Sequence, residues 1–251
     1  VIFFRGLPES EQKIALIGTN ETEEKEKNKD YFNKFYKDKR YKDIIKHQNF
    51  NPRIIEFITD SSVIGEIKSE DYWSYILQRL NNPKVIWEGY FQNQTDDFVR
   101  ALTFLTVFNN GKISEENLRD SYNTFLKIHP SNFGDNSDKS FESVRKLATK
   151  SLLNRNQIGN DQYEYVLFNP SIADFVLGAY SNEITLICNI LKSLNSEISI
   201  DYLHTLLNNN KINKYYNSKI LENLFDFFYE SKINDEDWDF LIALIYIDFF
   251  D

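Results

Sequence analysis

The stretch SLLNRNQIGNDQYEYVLFN, residues 151–169, decides the fold. It holds two short apolar runs, 151–155 and 163–168, on either side of Gly159, Asn160 and Asp161. Runs of that length around a Gly/Asn/Asp turn make a β-hairpin. Upstream of it the period is helical. Thr95 is placed to cap an apolar helix through Phe98, Leu102, Leu105 and Phe108, which Asn109, Asn110 and Gly111 stop. Ser114 opens a second helix through Leu118, Tyr122 and Phe125. After a loop at 129–140, a third takes Phe141, Val144, Leu147 and Ala148 inward.

Three helices followed by a hairpin is the winged-helix order. Residues 95–180 are therefore expected to form a winged-helix domain, closed by a helix from Ser171 to Tyr180. From 181 to 251 the pattern is helix after helix, through Ile184 to Leu194, Tyr202 to Leu207, Ile220 to Tyr229 and Trp238 to Phe249. Toward the N-terminus, residues 1–94 also read as helical. Residues 1–18 end one apolar element and begin a short helix, and 19–30 form an exposed polar stretch. Tyr31, Phe32, Phe35, Tyr36, Tyr41, Ile44 and Ile45 then recur at spacings of three and four. Asn51 and Pro52 open a new helix, Ser69 caps another, and Pro83 starts a third. The expected fold class is mainly α, with a small β-hairpin.

Composition agrees. Of 251 residues only eight are Gly and five Pro, which leaves little material for a turn-rich all-β fold. No run of roughly eighteen apolar residues lacks a charge, so no membrane span is expected, and the reading is a cytoplasmic protein. A lone cysteine, Cys188, excludes an internal disulfide and a Cys-rich metal site. The chain starts at Val1 and has no Met, which predicts an internal piece of a longer protein, or a sequence with its Met positions missing. Net charge is −9, unevenly spread. Residues 182–251 hold five Lys against twelve acids, whereas 25–53 hold ten Lys or Arg against four. The basic stretch reads either as a solvated helix face or as a lid over phosphates.

Catalytic patterns are missing. The one Gly-Lys pair, Gly111 and Lys112, is followed by Ile113 and has Thr106 where a phosphate loop needs its first glycine. There is no HExxH, CxxC or GxSxG, and His47, His129 and His204 lie far apart, without carboxylates at metal-ligand spacing. The chain is expected to be no enzyme by itself, with no metal and no cofactor of its own.

Four segments taken together, KHQNFNPRIIEFIT (46–59), NNPKVIWEGYFQNQTDDFVRALTFLTVF (81–108), the hairpin, and VLFNPSIADFVLGAY (166–180), resemble the C-terminal part of a bacterial novel-type STAND P-loop NTPase. The resemblance covers about 1–180. It implies an ATPase lid at 1–94, the winged helix at 95–180 and the start of a helical sensor region at 181–251. It also implies an upstream P-loop domain binding ATP or ADP with Mg, homo-oligomerisation of the intact protein, a protein trigger, and a role in bacterial conflict or phage defence. Under it Arg53, beside a helix N-terminus, would touch the γ-phosphate as a sensor arginine. The competing reading pairs Arg53 with Glu56 or solvent. Asn169 falls where related ATPases carry a phosphate-binding histidine, but an amide brings no charge, so the reading preferred over phosphate binding is that Asn169 and Ser171 cap the helix. Ala173 stands where the family often has a basic residue.

Two other classes compete. A winged helix can read DNA, and Arg145, Lys146 and Lys150, with Arg155 on the wing, are the cations available. Glu142 on the same helix and the acidic balance of 1–181 oppose it. A plain helical scaffold for protein interaction is the other.

Overall fold

The computed structural model describes residues 29–50, 55, 58–59, 66–82, 87–88, 91, 96–129, 139–149, 151–230 and 238–250. The protein is mainly helical with a small antiparallel sheet, and it divides into two compact units, 1–89 and 90–251. The stretches 95–180 and 181–251 thus belong to one unit.

In the first unit, α1 (Lys29–Tyr36) runs into a 3-10 turn at Lys37–Lys39, followed by α2 (Tyr41–Lys46) and α3 (Tyr72–Asn81). Ile44, Ile55, Ile58, Tyr72, Ile76 and Leu80 form its core, with Tyr31, Phe50, Trp73 and Tyr75 packed around it. The spacing Tyr72, Ile76, Leu80 is one stripe of α3, which is why that helix turns these three side chains inward. The Tyr72 hydroxyl donates to the Ile58 carbonyl at 2.7 Å, so its polar tip is satisfied in the core. Ser69 does not cap α3. The helix begins at Tyr72, after turns that carry Ser69 and Glu70. The expected starts at Asn51 and Pro52 and at Pro83, and everything expected of 1–28, lie outside the described residues.

The second unit is built on α4 (Asp97–Phe108), buried from Phe98 to Phe108 except at Arg100. A helix apolar on every side has to be a central one. Its two buried threonines, Thr103 and Thr106, donate to the carbonyls of Val99 and Leu102, so no hydroxyl is left unsatisfied. The cap is Asp96, one residue later than expected, which accepts from Phe98 N at 2.7 Å.

The chain then forms β1 (Lys112–Ser114), α5 (Glu115–Ile128), α6 (Phe141–Thr149), β2 (Leu153–Gly159) and β3 (Gln162–Leu167). Ser114 caps α5 as expected, accepting from Asn117 N. The hairpin β2–β3 is present, turned through Asp161 at φ +56. A third strand was not expected. β1 pairs antiparallel with β3, Ile113 opposite Tyr165, and the sheet order is β1-β3-β2. On α6, Phe141, Val144 and Ala148 are buried, but Leu147, expected inside, is 52% exposed. One residue off the stripe, it sits about 100° around the helix from Ala148 and falls outside the seam.

After the sheet come α7 (Ser171–Tyr180), α8 (Ile184–Leu194), α9 (Glu197–Asn208), a 3-10 turn at Lys214–Tyr216, α10 (Asn217–Glu230) and α11 (Trp238–Phe250). α8 packs on α5, α4 and α10, whereas α9 packs on α11. Among the described residues, no helix is long and apolar enough to cross a membrane.

Candidate functional site

Asn169 stands between the end of β3 and the start of α7. Its Oδ1 accepts from both Ser171 N, at 2.8 Å, and Ser171 Oγ, at 2.6 Å. Both lone pairs of that oxygen are therefore engaged in starting the helix, and Ile172, Phe175 and Val176 beyond it are buried. Next to this cap lies an open groove of about 320 Å³ lined by Asn110, Gly111, Val166, Leu167, Pro170, Ala173 and Tyr202. No lining side chain carries a cation. Burial, and secondarily the carboxylate of Asp174, hold the Tyr202 hydroxyl above its usual pKa, so it stays a neutral donor. Such a groove can offer hydrogen bonds and apolar contact, but no charge for a phosphate.

One wall of the groove is the turn that ends α4. Asn110 and Gly111 take left-handed φ values of +59 and +81, and Gly111 N closes the helix by donating to Thr106 O. The Gly111 carbonyl then accepts from Leu167 N at 3.1 Å, fastening the turn to β3. Asn109, buried just before it, donates from Nδ2 to Lys112 O at 2.7 Å and accepts at Oδ1 from Ser196 Oγ at 2.9 Å. Ser196 is the N-cap of α9 and accepts from Ser199 N. A single side chain thus ties the end of the central helix, the first strand and the start of α9.

The cations on the hairpin side are paired internally. Arg155 donates to Glu115 through Nε at 2.5 Å and through a second nitrogen at 3.1 Å, with its guanidinium 3.3 Å from the centroid of the Tyr163 ring. Tyr165 adds a hydroxyl bond to Glu115 at 3.1 Å. The Arg155 hydrogen bond holds the Glu115 carboxyl below its ordinary pKa, against the opposite push of burial. Arg145 and Arg119 both reach Glu142. Of the four cations available for reading DNA, two are neutralised, Lys146 is exposed, and Lys150 lies outside the described residues.

Arg53 also lies outside the described residues. The three histidines bond to separate asparagines: His47 to Asn81, His129 to Asn189 and His204 to Asn208. Among the described residues, no group of three His, Cys, Asp or Glu could hold a metal ion. Cys188 is buried, and burial pushes its thiol up to about 11, so it remains protonated and acts as core. The Asn109 junction was missed in the sequence, where Asn109 read as a helix stop. Nothing local signals a partner at Ser196.

Compared with models of known families, with curated proteins and with solved structures, the chain matches none.

Proposed function

We propose that this chain is the regulatory and oligomerisation arm of a cytoplasmic STAND-type signal-transducing NTPase: a helical lid at 1–94, a winged helix at 95–180 and the start of a sensor array from 181. It performs no catalysis by itself. ATP or ADP with Mg belongs to an upstream P-loop domain, whose nucleotide Arg53 of the lid would sense. The triggering ligand is a protein, and the setting is bacterial conflict or phage defence.

The element order supports the winged-helix part. Helix, short strand, helix, helix and hairpin, with the short strand beside the second hairpin strand, is an order compatible with a winged helix. The observation that carries the functional reading is the Asn109 junction. It makes α9, in the array, continuous through hydrogen bonds with the end of α4 and with β1. A shift of the array on binding a trigger would act on the sheet and on the turn after it, where Asn169 sits, and so would bias the equilibrium of the whole arm. Asn169 serves this as a rigid helix cap, not as a phosphate ligand. The internal pairing of Arg145 and Arg155 weighs against the DNA-reading alternative.

The division of labour is tested by calorimetry and a phosphate-release assay on residues 1–251 alone. The expected result is no hydrolysis and no micromolar ATP affinity. Tight ATP binding by this chain would overturn the assignment of nucleotide binding to a separate domain.

A further inference from the structure

We infer that the corner between α1 and α2 is a binding surface for single-stranded nucleic acid. The segment YKDKRYKDIIK, 36–46, has five cations against two carboxylates, Asp38 and Asp43, in a chain whose net charge is −9. Lys37, Lys39, Lys42 and Lys46 are exposed and, among the described residues, have no ion-pair partner. That distinguishes them from Arg100, Arg119, Arg145 and Arg155 of the second unit, each of which is held by an acid.

The corner also presents rings. Tyr36 is 42% exposed, and its ring centroid lies 5.6 Å from that of Tyr41 at a tilt of 46°. Arg40 stacks on Trp73 with its guanidinium carbon 4.9 Å from the ring centroid, which fixes a further cation at the same corner. The backbone that makes the corner is strained. Asp38 and Lys39 both take left-handed φ, +54 and +61, in consecutive non-glycine residues.

Unpaired lysines for a phosphate backbone beside aromatic rings on which bases stack are the two elements of sequence-tolerant single-strand binding. A duplex keeps its bases stacked inside and offers the rings nothing. This assignment goes beyond the NTPase-arm reading and does not rest on it, since it needs neither a nucleotide site nor the second unit.

The test is fluorescence anisotropy of the full chain with labelled fifteen-nucleotide dT and rU strands, with circular dichroism on each variant. Four lysine contacts predict binding whose logarithm falls with that of salt at a slope of roughly −2 to −3. Lys37→Ala with Lys39→Ala and Lys42→Ala should weaken binding at least about tenfold, and Tyr36→Ala about fivefold, with Tyr36→Phe near wild type because the ring remains. Lys214→Ala with Lys219→Ala, which removes two exposed lysines from the other unit, should change nothing. No binding at low salt overturns the inference. So does equal binding of a duplex, or an unchanged affinity in Tyr36→Ala with tripolyphosphate or anionic vesicles competing as well as the strand, since either outcome assigns the corner to bare polyanions or to a membrane surface.

Discussion

Ser196 donates its hydroxyl to Asn109 Oδ1 across 87 residues of sequence, and the same asparagine donates to the Lys112 carbonyl. Both side chains are thereby committed at an inside corner where water has little access, Asn109 being buried. Asn109→Ala should cost about 2–3 kcal/mol in urea unfolding, because a cap and a strand carbonyl lose partners together. Ser196→Ala should cost about 1–2 kcal/mol, from the N-cap and the Asn109 bond. The double variant should be less harmful than the sum, and strict additivity would mean that the two do not act as one junction.

Gly111→Ala tests the turn. A Cβ there would meet Leu167 Cδ1 at 3.8 Å, an ordinary contact, so space is not the obstacle. The φ of +81 is, and the expected loss is about 1–2 kcal/mol. Gly111→Asn, which tolerates left-handed backbone better, should recover part of it. Equal stability of glycine and alanine at 111 would rule out that conformation.

The Arg155–Glu115 pair predicts an acid limb. Glu115 has a folded pKa below the ordinary glutamate value of 4.5, so its contribution to stability is fully present above that value and disappears as pH falls through the folded pKa. Glu115→Gln should lower stability by about 1–2 kcal/mol at pH 7, the range for a charge-assisted bond that is partly solvated. It should also flatten the stability profile below pH 4.5, and an unchanged acid limb in that variant would remove the pair from the account.

His129 predicts a second limb at higher pH. Its ring stacks on Phe125 with centroids 4.8 Å apart, and burial lowers its pKa from 6.5. The unfolded state therefore takes up the proton first, and stability should fall as pH drops from about 6.5 toward the folded value. His129→Asn should erase that limb while leaving the Glu115 limb in place. Titration of the ring by NMR at or above 6.5 in the folded protein would contradict the burial.

Much of this fold was legible from residue spacing. The turn residues 159–161 and the apolar runs around them gave the hairpin, and Ser114, a hydroxyl before two acids, gave the start of α5. β1 was not legible, because three residues, Lys112 to Ser114, carry too little pattern to separate from a loop, and its pairing with β3 is set by tertiary contact. Leu147 misled because a leucine near an apolar stripe reads as part of it. At the candidate site, the capping side of Asn169 was readable from the Asn-Pro-Ser order. The Asn109 to Ser196 bond was not, since neither residue type nor neighbourhood encodes a partner so distant in sequence.

The central proposal is that this arm reports the state of a bound nucleotide, and Arg53→Ala in the intact parent protein tests it most directly. Nucleotide affinities and melting temperature would be measured on Arg53→Ala and Arg53→Lys beside the parent protein. The account predicts an unchanged melting temperature and a loss of ATP-over-ADP preference of about 1.5–3 kcal/mol in Arg53→Ala, partly restored by lysine, which keeps the charge but not the two-pronged geometry. An ATP-over-ADP preference that survives Arg53→Ala, with a lowered melting temperature, would contradict it.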